Sequence, residues 1–356
     1  MKVKKTNNIK AVDFFCGGGG MSFGMQDSGI QVLAGIDYEE NCRATYNANI
    51  GKDKFIKADV FELKEEELEK TLKLKRNDDE LLLIGCSPCQ FWSIINTDKK
   101  KSQNSKNLLV EFERFVKYFN PGYVVVENVP GVLRKKGESG LETFINWLEE
   151  NKYTVHFKVH NTSEYGVPQN RKRFTLIANR VTDSALEPIK SNKILTVRDV
   201  IGVENGFSKI KAGHRDETVF NHSVPNISDL TLRRLKKVKK DGGNRLSFAN
   251  DPELQLDCFI GRDNSFKDTF GRLWWDKPSP TITTKFFSVS NGRFVHPVEN
   301  RALSIREGAT LQSFPKDYKF IGTSMGSIAR LIGNAVPPEY AKRVGQAIIQ
   351  NHKNAV

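Results

Sequence analysis

The segment 85–90 (GCSPCQ) places two thiols directly after a short run of apolar residues at 81–84. Such a run predicts a buried β-strand, and open α/β sheets bind their ligands at the carboxyl ends of their strands. A thiolate at that edge is a nucleophile when neighbouring hydrogen-bond donors lower its pKa. A single cysteine is more commonly an inert buried thiol, and we assign Cys86 to that class. Cys89 is then the candidate nucleophile.

A carboxylic acid and two arginines accompany the next strand-like runs. Glu127 follows the apolar run at 123–126, where an acid beside a thiolate can protonate or hydrogen-bond a ring nitrogen. Arg171 and Arg173 come just before the run at 174–178, and the two-residue period of a strand predicts that they share one face. They form either a salt-bridged surface strand or a fork that grips a phosphate or base carbonyl and orients the glutamate.

Four glycines at 17–20 lie between a predicted strand at 9–15 and a predicted helix at 22–28. Glycines in this place let backbone N–H groups approach a ligand closely, although similar turns also serve packing. Asp37 ends the second predicted strand and Asp59 the third, where a carboxylate either holds ribose hydroxyls or is a solvated loop acid. The order of the three features favours a nucleoside cofactor and does not indicate which one.

Strand-like and helix-like segments alternate along the first half of the chain and position these residues. Predicted strands lie at 9–15, 30–36, 81–84, 123–126, 155–159 and 174–178, with a further strand ending at Asp59; predicted helices lie at 22–28, 39–49, 63–75, 108–119 and 141–150. The alternation predicts an α/β fold with a doubly wound, mostly parallel sheet and helices on both of its faces.

The pattern changes after about residue 180. The stretch 181–272 is richer in turn-forming and charged residues and predicts a smaller, irregular domain. Regular patterning returns at 273 and ends in a predicted helix at 339–352. We therefore divide the chain into a domain at 1–180 that carries the candidate cofactor-binding and catalytic residues, the irregular domain at 181–272, and a return segment at 273–356 that packs back on the first domain.

The bulk composition narrows the function classes. A formal net charge of +13 and a pI near 9.4 indicate a polyanionic partner or a solvated basic surface. Five cysteines without a paired framework predict reduced thiols, and no second Cys or His cluster accompanies Cys86 and Cys89, so we expect no metal. The absence of a long apolar stretch and of a signal-peptide core predicts a cytoplasmic protein without a membrane partner.

Two basic segments have open interpretations. The segment 233–240 follows a plausible helix cap at Ser228 and precedes Gly242, so it predicts a basic helix that either tracks the phosphates of a polyanionic partner or is only a solvated face. The polar and basic segment 93–107 follows Cys89 in the chain and is interpreted as a lid in preference to an ordinary surface loop.

Six ordered blocks together resemble the cytosine-5 DNA methyltransferases over nearly the whole chain. They are 13–20 (DFFCGGGG), 88–90 (PCQ), 127–129 (ENV), 169–173 (QNRKR), 301–307 (RALSIRE) and 333–337 (GNAVP). The family usually has Leu and Ala where this chain has Phe14 and Cys16, and both replacements are apolar. The resemblance implies the S-adenosylmethionine-dependent methyltransferase fold, with the irregular domain at 181–272 as the target-recognition domain.

The resemblance also implies roles for individual residues. S-adenosylmethionine would be the cofactor, S-adenosylhomocysteine its product, and no metal would be needed. Positions implied to surround the cofactor are Phe15, Gly17, Gly18, Gly19, Gly20, Asp37, Tyr38, Asp59, Val60, Pro88, Leu108, Asn334 and Ala335. Positions implied to be catalytic are Cys89, Glu127, Arg171 and Arg173.

The implied chemistry explains why these residue types are needed. Addition of the Cys89 thiolate at carbon 6 of cytosine would make carbon 5 electron-rich, while Glu127 would hydrogen-bond the ring nitrogen N3 and the exocyclic amine. Arg171 would hold the base carbonyl and the glutamate, and Arg173 would support both. The target must be flipped out of the duplex, because these atoms are inaccessible within the stack.

The expected protein is a sequence-specific bacterial DNA methyltransferase of the restriction-modification type. Its partners would be double-stranded DNA and, where it is not solitary, a restriction endonuclease that cuts the same site; it would be associated with the nucleoid. Methylation of tRNA is the first alternative, which the long variable region disfavours. A non-catalytic DNA-binding regulator is the second, which the intact catalytic blocks disfavour.

Overall fold

The fold is described from a computed structural model, which describes residues 8–87, 107–135 and 139–355. Its centre is a seven-stranded sheet in the order β3-β2-β1-β4-β5-β7-β6. The strands are β1 (Lys10–Phe14), β2 (Gln31–Asp37), β3 (Phe55–Lys57), β4 (Leu81–Gly85), β5 (Tyr123–Asn128), β6 (Thr154–Asn161) and β7 (Lys172–Asn179). The first five strands pair in parallel, and β7 runs antiparallel to both β5 and β6. The predicted α/β fold with a mostly parallel sheet is confirmed.

The described residues form nine α-helices. They are α1 (Gly20–Ser28), α2 (Arg43–Asn49), α3 (Glu65–Leu72), α4 (Leu108–Phe119), α5 (Leu141–Glu150), α6 (Asp229–Lys237), α7 (Ile305–Leu311), α8 (Met325–Asn334) and α9 (Pro338–Ala355). Short 3₁₀ helices lie at Glu40–Cys42, Pro130–Lys135, Thr162–Tyr165, Val203–Asn205, Arg245–Phe248 and Asp257–Phe259.

One face of the sheet is covered by α3, α4 and α5. Alternate strand residues point to opposite faces, so Val12, Leu83 and Val126 lie on the same side. They share a buried apolar cluster with Phe112 of α4 and Phe144 of α5. The helix α4 contributes to the cluster because its apolar residues recur at three- and four-residue spacing.

The other face is covered by α1, α2 and α9. Asp13 of β1 accepts a hydrogen bond from Ser22 of α1, and Thr175 of β7 hydrogen-bonds Tyr340 of α9 at 2.6 Å. The C-terminal helix α9 also packs closely on α1, because a Cβ added at Gly24 would lie 2.2 Å from the carbonyl oxygen of Pro338. The C-terminal helix thus belongs to unit 1, which also holds the sheet.

The chain divides into two compact units. Unit 1 takes in the described residues of Met1–Tyr165, Lys172–Ser191 and Val336–Val356. Unit 2 comprises Gly166–Arg171 and Asn192–Ala335. This division differs from the predicted domains, because most of the return segment from residue 273 belongs with the irregular region. Only the part from Val336 belongs to unit 1, which contains the sheet.

Unit 2 has few regular elements and a small apolar core around Leu235 and Phe270. The predicted basic helix is present as α6, and the Ser228 side chain accepts the Thr231 N–H as its N-terminal cap. Arginines buried in this unit bind backbone carbonyl groups; Arg272, for example, donates to the carbonyls of Leu235, Val238, His296 and Glu299. Side-chain hydrogen bonds therefore replace much of the sheet pairing that holds unit 1 together.

Candidate active site

The carboxyl ends of β1 and β4 define the most suitable ligand-binding edge of unit 1. The chain passes from β1 to β2 on one side of β1 and reaches β4 on its other side only after β3. A reversal of strand order of this kind opens a crevice at the carboxyl ends of the two strands. Phe14 and Gly85 are partners in the β1–β4 register, so the segments that follow them leave the sheet at the same edge.

The glycine-rich turn after β1 has a backbone conformation that glycine residues adopt more easily than other residues do. Gly17 and Gly19 have φ angles of 51° and 87°, in the left-handed region that favours glycine. Phe15 shares this region at a φ of 62°, which costs about 1 kcal/mol or more for a residue with a side chain. A Cβ added at Gly17 would meet nothing within 4 Å, so the space beside this turn is open. Gly18 is buried in the same turn, and Gly20 begins α1.

Asp37, the last residue of β2, is fixed beside the turn by two backbone donors. The Gly17 N–H donates to its Oδ2 at 2.8 Å and the Glu39 N–H to its Oδ1 at 2.9 Å. Each oxygen has further acceptor capacity, which suits two adjacent hydroxyl groups of a ribose. Burial raises the pKa of Asp37 above its ordinary value, and the N–H donors oppose that shift. The Tyr38 side chain is 65% exposed and available for stacking on a base.

Asp59 and Val60 follow β3, as predicted. Asp59 Oδ1 accepts the Phe61 N–H at 3.0 Å, and the Val60 side chain is buried. The Val60 carbonyl accepts a hydrogen bond from Arg114 of α4. Leu108, the first residue of α4, packs against the same apolar cluster as Val60. The residues assigned to an adenine site are thus anchored to the sheet and to α4.

The predicted acid Glu127 lies at the carboxyl end of β5 and is paired with Arg173. The Arg173 Nε is 3.0 Å from Glu127 Oε1, and both side chains are largely buried, with 13% and 9% exposed. The antiparallel register places Glu127 opposite Thr175, two residues along β7 from Arg173. The ion pair holds the two charged side chains against each other at this edge of the sheet.

Asn128, the next residue of β5, joins this edge to the segment that precedes the candidate nucleophile. Its Nδ2 donates to the Ser87 carbonyl at 3.3 Å and contacts the Ser87 Oγ at 3.1 Å. Ser87 is two positions before Cys89 in the sequence. Cys89, Pro88 and residues 93–106 of the predicted lid lie outside the described residues. Burial, Asp13 and Glu127 raise the pKa of Cys86 well above its ordinary value, which agrees with its interpretation as an inert thiol.

Arg171 differs from its expected place. It lies one residue before β7 begins, belongs to unit 2 and is 2% exposed, whereas Arg173 is a residue of the strand. Its guanidinium donates to the carbonyls of Ile282, Gly333 and Ala335 at 3.0 to 3.1 Å. These bonds hold the C-terminal end of α8. The resemblance gave Arg171 the contact with the glutamate, whereas the ion pair in the structure is made by Arg173.

Asn334 and Ala335, the other residues assigned to the cofactor, lie at the end of α8 in unit 2. Asn334 is exposed, and the Ala335 carbonyl also accepts from Gln312 Nε2 at 3.2 Å. Arg171 and Gln312 therefore position this pair of residues through its backbone, a role that no spacing in the sequence indicated.

Asp13 is a polar residue beneath the glycine-rich turn that our sequence reasoning did not assign. Ser22 Oγ donates to its Oδ2 at 2.6 Å and contacts the Tyr46 hydroxyl at 2.8 Å. Burial raises the pKa of Asp13 to about 7, although the Ser22 hydrogen bond opposes the shift. The available signal was one acid within an otherwise apolar run at 9–15. The network joins β1 to α1 and α2 directly below the turn.

Neither a metal-binding cluster nor a membrane-spanning helix occurs in the part of the chain that the structure describes. Within residues 8–87, 107–135 and 139–355, no group of three or more His, Cys, Asp or Glu side chains is placed to hold a metal ion. None of the helices in those ranges combines the length and apolar character that a membrane span requires.

The chain is similar to one family of known proteins along almost its whole length. The sequence model of C-5 cytosine-specific DNA methylase matches residues 9–350. The type II methylase M.HgiDII of Herpetosiphon aurantiacus is 34% identical over 95% of this chain and 94% of its own length. The type II methyltransferase M1.HphI of Haemophilus parahaemolyticus is 31% identical over 98% of this chain and 88% of its own length.

Solved structures show the same fold. A prophage-encoded E. coli protein, described as a DNA modification methyltransferase, superposes with a TM-score of 0.74 at 20% identity, covering 97% of this chain and 99% of that one. The S. pombe Dnmt2 methyltransferase superposes with a TM-score of 0.58 at 17% identity, covering 97% and 99% of the two chains. At these identities the likeness concerns the fold alone.

Proposed function

Because the chain belongs to the C-5 cytosine-specific DNA methylase family, we propose that it methylates carbon 5 of cytosine in a specific DNA sequence through a covalent adduct at Cys89. The observation that carries this proposal is the paired acid at the carboxyl end of β5. Glu127 is held by Arg173, and the adjacent Asn128 is bonded to Ser87, which precedes Cys89 by two positions.

S-adenosylmethionine is the proposed cofactor, and the residues present fit it. The open glycine-rich turn suits the methionine part, and Asp37 offers two fixed carboxylate oxygens to the ribose. Tyr38, Asp59 and Val60 would meet the adenine. When bound, the cofactor supplies an electrophilic methyl group and leaves as S-adenosylhomocysteine. The roles of Pro88, Leu108, Asn334 and Ala335 toward it remain predictions from the family resemblance.

The proposed chemistry begins at Cys89. Its thiolate forms a bond to carbon 6 of the cytosine, and the displaced electron pair makes carbon 5 the nucleophile for the methyl group. Glu127 shares a proton with N3, whose basicity rises in the adduct, and accepts a hydrogen bond from the exocyclic amine. Loss of the carbon 5 proton to a base restores the double bond and expels the thiolate.

Arg173 is proposed as the residue that orients Glu127, because the two side chains are already in contact. In a site that is largely shielded from water, a guanidinium holds a carboxylate in one geometry better than the ammonium group of a lysine would. We propose that Arg171 is a positioning residue for the end of α8, because its guanidinium donates to the Gly333 and Ala335 carbonyls.

The substrate is proposed to be double-stranded DNA from which the target cytosine is flipped. The net charge of +13 favours association with the phosphate backbone. The type II names of the relatives support a restriction-modification role, with a restriction endonuclease that acts on the same site as the partner. We place the protein in the bacterial cytoplasm, at the nucleoid.

The mechanism is tested by trapping the enzyme on DNA. A duplex carrying 5-fluorocytosine at the target should become covalently joined to the protein when S-adenosylmethionine is present, because fluorine cannot leave as a proton does. The Cys89→Ala variant should form no adduct and methylate nothing, while Cys86→Ala, changed in the same segment, should retain both properties.

Bisulfite sequencing of DNA from a host that expresses the wild-type protein gives the methylated sequence. Turnover by Cys89→Ala, or an adduct that maps to Cys86, would overturn the assignment of the nucleophile. Methyl transfer to tRNA with none to duplex DNA would overturn the substrate.

A further inference from the structure

The segment 257–268 of unit 2, here called the exposed loop, presents apolar side chains to solvent. Phe266 is 69% exposed and Ile260 is 61% exposed, and they are among the most exposed large apolar side chains described. Singly exposed apolar residues are ordinary, but two on one short loop indicate a surface that meets a partner. The catalytic chemistry uses neither residue.

The exposed loop is nevertheless rigidly built. Successive turns close it: the Phe259 N–H donates to Leu256, that of Arg262 to Phe259, and that of Ser265 to Arg262, at 2.8 to 3.1 Å. Gly261 and Phe266 have φ angles of 70° and 50°. A loop whose backbone is already fixed loses less conformational entropy when it binds.

One buried arginine holds the exposed loop from beneath. Arg245 is 2% exposed, and its guanidinium donates to the carbonyls of Arg262, Ser265 and Phe266 at 2.5, 2.6 and 3.2 Å. It also lies over the Phe259 ring, 4.4 Å from the centroid. Arg245 thereby fixes the direction in which the exposed side chains leave the loop.

The exposed loop carries two cations, Arg262 and Lys267, and three aspartates, of which Asp257 is exposed. Asp263 lies 3.8 Å from Arg245, and Asp268 is paired with the buried Arg293 at 2.8 Å. Arg262 and Lys267 are exposed and have no ion pair among the described residues. The 3₁₀ helix that carries Arg245 packs against the basic helix α6. The positive charge that suits a polyanion is therefore supplied mainly by α6, with Arg262 and Lys267 beside the exposed apolar side chains.

We infer that the exposed loop reads base edges in the DNA beside the target cytosine, an inference that rests on the proposed function. Arg262 is the side chain suited to the O6 and N7 acceptors of a guanine. Ile260 and Phe266 are suited to a thymine methyl group or to insertion between base steps. Arg245 is a positioning residue, because it acts on DNA only through the loop.

The test compares methylation of a random-sequence duplex library by the wild-type protein and two loop variants. Arg262→Ala should relax discrimination at one guanine position by roughly ten- to a hundredfold. Ile260→Ala should relax a different position. The matched control is Ile194→Ala, since Ile194 lies in the same unit and is 58% exposed, and it should leave the sequence profile unchanged.

A second measurement does not depend on methylation. Cys258 is an exposed thiol within the exposed loop, whereas Cys16 and Cys42 are buried. Duplex DNA containing the methylated sequence should slow alkylation of Cys258 at least severalfold. Arg245→Lys should weaken this protection and broaden the sequence profile, while the affinity for S-adenosylmethionine stays unchanged.

The outcomes separate the two proposals. Unchanged sequence profiles for Arg262→Ala and Ile260→Ala, with an active wild-type enzyme, overturn the inference and leave the function standing. A wild-type protein that methylates no cytosine in the library overturns the proposed function. In that case, alkylation of Cys258 with and without the library still decides whether the loop contacts DNA, and full reactivity overturns the inference.

Discussion

Two buried carboxyl groups, Asp13 in unit 1 and Glu307 in unit 2, have opposite electrostatic behaviour although both are fully enclosed. Burial raises the pKa of Asp13 to about 7, because its described donor is the neutral hydroxyl of Ser22. Burial would also raise the pKa of Glu307, but Arg301 more than offsets it and lowers the value to about 2. The two Arg301 nitrogens lie 2.7 and 2.8 Å from the Glu307 oxygens.

The difference reflects how each unit satisfies its polar groups. In unit 1 the backbone N–H and carbonyl groups bond to one another within the sheet and need no charged side chains as partners. The pair of Glu127 and Arg173 lies at the edge of that sheet. Unit 2 has few regular elements, and its backbone carbonyls need other donors. In the described residues every buried arginine belongs to unit 2: Arg171, Arg245, Arg272, Arg293, Arg301 and Arg306. Part of the net charge of +13 is thus structural and is not available to DNA.

The largest effect is expected from breaking the buried ion pair of Arg301 and Glu307 in unit 2. Arg301→Met should lower the free energy of unfolding by about 3–5 kcal/mol, because it leaves Glu307 charged and enclosed without its partner. The control is Arg43→Met in unit 1, whose pair with Glu40 is 40% and 53% exposed, so its loss should cost much less than loss of the buried pair. Urea unfolding measures both, and equal losses would contradict the contrast between the units.

The next effect separates catalytic from structural acids. Glu127→Gln should reduce the methylation rate about a hundredfold or more, as expected for loss of a general acid, and should cost less stability than Glu307→Gln, because its partner Arg173 is 13% exposed and Arg301 only 1%. Glu307→Gln should do the reverse, lowering stability while the folded enzyme keeps its rate. Single-turnover rates and unfolding curves for both variants test the contrast. A large loss of S-adenosylmethionine binding in Glu127→Gln would show that this residue faces the cofactor instead of the base.

A smaller effect compares two helical glycines. Gly24→Ala should destabilise unit 1 by roughly 1–3 kcal/mol, because the new Cβ would lie 2.2 Å from the Pro338 carbonyl and 2.5 Å from Ala341 Cβ. Gly326→Ala in α8 of unit 2 meets only Ser324 Oγ, at 3.8 Å, and should be neutral or stabilising by up to about 1 kcal/mol. If Gly24→Ala is as stable as the wild type, α9 does not pack on α1 as described.

The contrast between the units also explains what the sequence could predict. Strands β4 and β5 were predictable because they are continuous apolar runs, and α4 because its apolar residues follow the helical period. Glu127 was assigned from its place after such a run. Local pattern sufficed wherever the sheet itself positions the residue.

Local sequence pattern did not predict the placement of residues whose position is set by hydrogen bonds to distant parts of the chain. Arg171 and Arg173 are two residues apart and matched a strand period, yet the carbonyls of Ile282 and Ala335 take Arg171 out of β7. These acceptors are 111 and 164 residues distant in the sequence. The extent of unit 2 was missed for the same reason, since its buried arginines bind carbonyls that no short-range signal marks.

The last comparison concerns the pH dependence of the two buried acids. The pKa of Asp13 is about 7 in the folded protein and near 3.8 when unfolded, so the native state retains a proton that the unfolded chain releases in between. The stability contribution of this group is therefore complete below about pH 4 and is lost as the pH rises toward 7. Asp13→Asn removes the titration, because the amide is neutral throughout.

The unfolding free energy of the wild type, relative to Asp13→Asn, should fall by on the order of 1 kcal/mol per pH unit between about pH 4 and 7 and then level off. Glu307→Gln should show the opposite sign in a lower window. Its folded pKa of about 2 lies below the ordinary value of 4.5, so the wild-type advantage is present above that value and is lost as the pH falls toward 2. Urea titrations at fixed ionic strength and stepped pH would measure both differences.

Parallel curves for the wild type and Asp13→Asn from pH 4 to 8 would show that Asp13 is ionised in the native state. The distinction between a hydroxyl-bound acid in unit 1 and a guanidinium-bound acid in unit 2 would then fail.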